Sequence, residues 1–156
     1  MGTGTTKLLL PVDGQPMIRV VVGRALDAGL APVVVVVGHE SIMMREALRG
    51  MPCRFVENTE LTSPMSTSLH VALRSFGGDV DAAVVMLGDM VRVSADMLQT
   101  LVRTARDGDA PLVVSRYGDV SAPPLLFRRS LWPELLAYTG EGCGKAVVNA
   151  HRHEAE

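Results

Sequence analysis

Short blocks of consecutive aliphatic residues alternate along the chain with longer stretches in which apolar side chains recur every three or four positions. Val33–Val37 is an unbroken valine run closed by Gly38, and residues 82–87 form a second apolar run closed by Gly88. Neither run alternates with polar residues, so both predict strands covered on both faces. Residues 16–28 carry Met17, Val20, Val21 and Leu26 at helical spacing, with Leu30 just beyond. Pro16 suits the first turn of that helix and Gly29 its stop. Further helices are expected at residues 41–49, 66–76, 94–106 and 130–138, and weaker strands at 54–56, 112–115 and 125–127. Strand, helix and strand repeating at this spacing imply right-handed crossovers and a mostly parallel sheet with helices on both faces. In such a sheet ligands bind beyond the carboxyl ends of the strands. The loops to inspect are therefore His39-Glu40, residues 57–65 and residues 89–92.

Length and composition narrow this picture. A chain of 156 residues makes one domain, long enough to bury a proper core. With 47% hydrophobic but only 4% aromatic residues, that core is built from Val, Leu, Ala and Met. The longest apolar run, residues 30–37, is eight residues with Pro32 inside it. It falls far short of the roughly 18 residues that span a bilayer. A formal net charge of −2 leaves no basic surplus for nucleic acid. Cys53 and Cys143 make no disulfide framework, and the first residues lack the pattern of a signal peptide, so the expected compartment is the cytoplasm. The four histidines share no zinc-ligand spacing with the cysteines.

Candidate chemistry begins at the amino end. Gly2-x-Gly4-x-x-Lys7 has the residue types of a phosphate-cradling loop, in which glycines admit an anion close to the backbone and lysine adds a point charge. The same residues also suit a chain end with one solvated lysine. The next segment, Lys7-Leu8-Leu9-Leu10-Pro11-Val12-Asp13-Gly14-Gln15-Pro16-Met17, resembles the lysine-containing L-L-x-P-x-x-G-x-P stretch of the nucleotidyltransferases that activate molybdenum cofactor. Met1-Gly2 is similar to the end of that family's L-A-A-G-x-S-x-R-M-G signature. Asn58 with Met65-Ser66-Thr67-Ser68-Leu69 resembles its N…E-G-M-S-x-S-L segment, and Gly88-Asp89 the first half of its G-D-Q-P. Pro124-Leu125-Leu126-Phe127 and the following Leu131-Trp132-Pro133-Glu134-Leu135 are similar to its P-V-L-F and next helix.

The resemblance implies a three-layer Rossmann-like α/β nucleotidyltransferase fold, running through residues 1–156, that lacks the family's first strand. It implies transfer of a nucleotidyl group from an NTP, CTP before the others, to molybdopterin or a related phosphorylated acceptor, with release of pyrophosphate. Sugar and alcohol phosphates are the alternative acceptors, and a catalytically inactive binding protein is the alternative from another class, holding a nucleotide, a pterin or a partner molybdoenzyme. Lys7 and Asp89 are the implied catalytic residues, Asp89 and Glu141 the implied ligands of Mg²⁺, and Gly2, Gly4, Asn58, Ser66 and Ser68 the implied substrate contacts. On their own residues, Ser66 equally suits a helix N-cap, Asn58 an Asx-turn, and Asp89 a turn after Gly88.

The chain departs from the family pattern in several places. Met90-Val91 stands where the family has Q-P, Ala122-Pro123 where it has a polar side chain, and Pro64 where it has glycine. Gly140-Glu141-Gly142-Cys143-Gly144-Lys145 replaces its G-D-x-G-A-R. These changes, with the missing glycine-rich signature, leave two explanations open: a natural start upstream, or a relative that has given up catalysis.

Overall fold

A computed structural model describes residues 7–39, 41–60 and 65–156, Cys143 by its backbone alone. The chain divides into two compact units, each treated by itself: Met1–Leu61 with Leu87–Gln99, and Thr62–Met86 with Thr100–Glu156. No helix among the described residues is long and apolar enough to cross a membrane.

The first unit opens with a tight hairpin, β1 (Pro11–Val12) and β2 (Gln15–Pro16). Val12 pairs with Gln15 around Asp13-Gly14, whose φ values of 50° and 81° are both positive. An Asp-Gly pair is the usual choice for such a turn because both central residues must accept φ > 0. Pro16 then caps α1 (Met17–Asp27), where its missing N–H costs nothing, and the chain leaves the helix through Gly29 at φ 79°. β3 (Val33–Val37) and β4 (Cys53–Glu57) pair in parallel, Val33 opposite Cys53 and Val37 opposite Glu57, with α2 (Ser41–Ala47) between them in sequence. Ile18 and Val22 of α1 pack with Val35 and Val37 of β3 and with Met44 and Leu48 to form this unit's core. The Arg19 guanidinium donates to the carbonyls of Ala47 (3.1 Å) and Arg49 (3.0 Å), satisfying acceptors that the end of α2 leaves without intrahelical partners.

The second unit contains α3 (Met65–Arg74), β5 (Ala82–Val85), β6 (Leu112–Tyr117), β7 (Val120–Arg128), a 3₁₀ turn at Arg129–Leu131, α5 (Trp132–Ala137) and α6 (Cys143–Ala150); α4 (Ala95–Asp107) precedes β6 in sequence. Its sheet has the order β5-β7-β6 and is antiparallel throughout. Ser94 caps α4, accepting the Met97 N–H on its hydroxyl at 3.2 Å. Phe127, Leu112 and Leu135 are fully buried with Trp132, Leu131, Leu73 and Val147 in this unit's core. Arg128 finishes α4 by donating to the carbonyls of Ala110 (2.7 Å), Gly108 (2.6 Å) and Ala105.

Three expectations need correction. The α/β fold stands, but the strand pairing is of both kinds: parallel between β3 and β4 in the first unit, antiparallel in the separate three-stranded sheet of the second. The reason lies at Gly118-Asp119: two residues between β6 and β7 allow only antiparallel pairing, since a parallel return needs a long crossover. The valine run is not covered on both faces either. Val35 and Val37 are buried while Val33, Val34 and Val36 are half-buried, an alternation that marks one covered face. Finally, the methionines do not fill the core as a group. Met44 does so at 3% exposure, whereas Met43 is 52% and Met97 38% exposed. The expected absence of the family's first strand concerns residues ahead of Lys7, which lie outside the described residues.

Prolines at 123 and 124 inside β7 would each deprive a regular ladder of a donor. The register accommodates them with a bulge: Val114 pairs with Leu125, but the next residue, Ser115, pairs with Ala122. The two carbonyls left over accept the Ser115 hydroxyl (2.7 Å, on Pro124) and the Tyr117 hydroxyl (3.1 Å, on Pro123).

Candidate functional site

Within the first unit, Lys7 Nζ lies 3.0 Å from Asp89 Oδ2, joining positions 82 residues apart. Both side chains stay open to solvent, 56% and 40% exposed. Lys7 sits in a short turn in which the Leu10 N–H returns to the Lys7 carbonyl at 3.1 Å, and the hairpin β1–β2 follows at once. Asp89 sits in a second turn, with Met90 N–H on the Leu87 carbonyl (3.2 Å) and Val91 N–H on its own carbonyl (2.9 Å). The residues beside the pair explain how the two turns meet. A Cβ added at Gly88 would come 2.9 and 3.2 Å from the two methyls of Leu8 and 3.2 Å from Ile18 Cδ1. Gly88 therefore lets Leu8 pack onto the backbone next to Asp89, and the residue preceding Leu8 is Lys7.

Asn58 follows β4 and donates its backbone N–H to the Val37 carbonyl at 2.9 Å, which carries the β3–β4 pairing one residue further. Its side-chain Oδ1 accepts the Glu60 N–H at 3.1 Å, the Asx-turn that was one of the two readings of this residue. Nearby, Arg45 stacks over the Phe55 ring (4.8 Å) and pairs with Glu57 at 3.4 Å. His39, at the carboxyl end of β3, is exposed.

The remaining described candidates belong to the second unit. Ser66 is the second residue of α3 rather than its cap, is only 2% exposed, and accepts the Gly140 N–H on its hydroxyl at 3.4 Å. Ser68 is half-buried on the same helix. Glu141 is exposed, in a turn held by the Tyr138 hydroxyl, which donates to the Glu141 carbonyl at 3.0 Å. The structure thus joins Lys7 with Asp89, and Ser66 with the backbone next to Glu141. Gly2, Gly4 and Pro64 lie outside the described residues. No group of three or more His, Cys, Asp or Glu side chains that could hold a metal ion occurs among the described residues.

Reading the sequence missed the Leu8–Gly88 contact, whose only trace is a leucine run starting right after Lys7 and a glycine right before Asp89. It also saw in His151 only a histidine without zinc-ligand spacing. In the structure His151 bridges two carboxylates, Nε2 to Glu134 at 2.8 Å and Nδ1 to Glu154 at 2.9 Å. These hydrogen bonds to Glu134 and Glu154, and their negative charge, push the imidazole pKa above its ordinary value. Burial raises the pKa of the Cys53 thiol above its ordinary value.

The family model described as "MobA-like NTP transferase domain" matches residues 1–155. The chain belongs to the MobA-like NTP transferase family. Among solved structures, this domain is similar to Rv0371c of Mycobacterium tuberculosis H37Rv in a complex with manganese, at 25% identity and a TM-score of 0.86, covering 99% of this chain and 81% of that one. It is similar also to a nucleotidyl transferase from Methanothermobacter, Mth528, at 28% identity and a TM-score of 0.78, covering 93% and 71%. Among curated proteins it is 34% identical over 112 residues to the bifunctional protein GlmU of Anaeromyxobacter dehalogenans. That match takes in 68% of this chain but 22% of the GlmU chain, so the domain spans less than a quarter of that relative.

Proposed function

We propose that this domain transfers a nucleotidyl group from an NTP, CTP before the others, to molybdopterin or a related phosphorylated acceptor. An acceptor phosphate oxygen bonds to the α-phosphorus, the bond from that phosphorus to the bridging oxygen breaks, and pyrophosphate leaves. Chemistry of this kind needs charge neutralisation and alignment rather than a covalent intermediate. The observation that supports the reading is the Lys7–Asp89 pair, a cation and an anion from distant positions meeting at 3.0 Å in a solvent-open turn of a MobA-like domain.

In this reading the Lys7 ammonium binds the phosphates and offsets the charge that builds on the leaving pyrophosphate. Asp89 has the donor chemistry for Mg²⁺, which takes one or two carboxylates and completes its shell with phosphate oxygens and water. The ion, when bound, supplies neutralisation of the phosphate oxygens. Asn58, on the end of β4, keeps its backbone in place through the Val37 bond and contributes its amide to the nucleotide side of the site. The buried Ser66 hydroxyl acts through the Gly140 turn and not on substrate.

Release of pyrophosphate from each NTP is measured with Mg²⁺ and a panel of molybdopterin, sugar-phosphate and alcohol-phosphate acceptors. Turnover is expected with CTP and molybdopterin, and Asp89→Asn lowers it by on the order of 100-fold, as loss of a main electrostatic contact does. Turnover only with a sugar or alcohol phosphate reassigns the acceptor. Nucleotide binding without turnover on any acceptor makes the domain a binding protein. Unchanged turnover in Asp89→Asn removes that residue from the mechanism.

A further inference from the structure

The Lys7–Asp89 contact has a second meaning, which rests on reading the pair as part of a nucleotide site. One oxygen of the Asp89 carboxylate is already held by an ammonium at 3.0 Å. Among the described residues no cluster of three acidic or imidazole groups could take a cation without help. A divalent ion arriving alone must displace the ammonium, remain beside its positive charge, and fill its shell from one side chain and water. A divalent ion arriving with a triphosphate meets different terms. The phosphates carry more negative charge than a carboxylate and attract the lysine, while their oxygens supply further ligands to the cation. The exchange is easy because both partners face solvent, where an ion pair holds by at most about a factor of five.

We propose that Lys7 is a latch on Asp89: it weakens the carboxylate's hold on a divalent cation alone by up to about fivefold and releases it when a triphosphate draws the ammonium away. Entry of cation and nucleotide together is then favoured over entry of the cation alone. Leu8 packed on Gly88 holds the latch in reach.

The test is a titration of the full chain with Mn²⁺ in the absence of nucleotide, following the electron paramagnetic resonance signal of the free aqua ion. Lys7→Met is expected to bind Mn²⁺ about fivefold more tightly than the wild type, the factor at which an exposed pair holds. Lys7→Gln does the same, whereas Lys7→Arg, which keeps the charge, stays at the wild-type value. Adding Asp89→Asn to Lys7→Met removes the gain. Equal or weaker Mn²⁺ binding in both neutral variants overturns the latch, and so does a gain that survives Asp89→Asn. The transferase reading fails separately: a wild type that releases no pyrophosphate on any acceptor, with Lys7→Met still gaining Mn²⁺, leaves the latch standing without that reaction.

Discussion

Gly88→Ala is the most informative single change in the first unit. The backbone there needs no left-handed φ, so the effect is one of space alone. The new methyl meets Leu8 Cδ1 at 2.9 Å and Leu8 Cδ2 and Ile18 Cδ1 at 3.2 Å. Ile18 is 5% exposed and packed among Val22, Val35 and Met44, so Leu8, half-buried, is the side chain that gives way. Inserting a methyl into a packed contact costs about 1–3 kcal/mol. Alanine recovers about 0.4–1 kcal/mol by stiffening the unfolded chain. The expected net loss is therefore about 1 kcal/mol in urea unfolding. The functional loss is larger, because Leu8 carries Lys7 with it, and a 1 Å misplacement can cost on the order of 100-fold in rate. Leu8→Ala combined with Gly88→Ala removes the contacts with Leu8, including the shortest at 2.9 Å, so the double variant is more stable than the sum of the single losses by about 1 kcal/mol. Strictly additive losses, or full activity in Gly88→Ala, would refute the packing argument.

Two further outcomes follow from the second unit. Hydrogen bonds with Glu134 and Glu154 raise the folded pKa of His151 above the unfolded one of about 6.5. The stability it contributes is complete below that pH and fades as the pH rises through the raised value; His151→Gln should flatten this slope in unfolding curves taken between mildly acidic and alkaline pH, and an unchanged slope excludes His151 as its source. Arg128→Met leaves the carbonyls of Ala105, Gly108 and Ala110 without their donor. Charged hydrogen bonds of this kind are worth about 1.5–3 kcal/mol, so a loss of about 2 kcal/mol is expected by urea unfolding, and a loss under about 0.5 kcal/mol contradicts the capping role.

Elements whose signal is local were legible in the sequence. The valine run became β3 over the same five residues, and Pro16 and Gly29 bracket α1 because each acts on its own φ or N–H. The helix at 94–106 appears as Ala95–Asp107, with Ser94 as its cap. α6 was missed because Gly142-Cys143-Gly144 reads as a loop, whereas Gly142, at φ 67°, is the turn that launches the helix and Gly144 lies inside it. The β6–β7 hairpin was only partly visible, since two prolines break the strand pattern and their place in a bulge depends on hydroxyls from the partner strand. At the site, Lys7 stood out by its glycine spacing and by resemblance to a family and Asp89 by resemblance, but their meeting was not legible because 82 residues separate them. The contact of Leu8 with Gly88 that brings them together is a matter of tertiary packing and has no periodicity to betray it.

Two bonds that α3 makes with the segment after β7 set a ruler on the gene as well as on the fold. Ser66 accepts the Gly140 N–H and His70 Nε2 donates to the Leu135 carbonyl at 2.7 Å, four residues apart on the helix and five apart on the other segment. A helix advances about 1.5 Å and turns about 100° per residue, so a slip of one position breaks both bonds together. An insertion or deletion between Leu135 and Gly140 must abandon one of them and leave a buried hydroxyl or imidazole without its partner. Descendants of this sequence should therefore vary freely in length at the exposed Gly118-Asp119 turn, while the stretch from Leu135 to Gly140 keeps its count even as its side chains change.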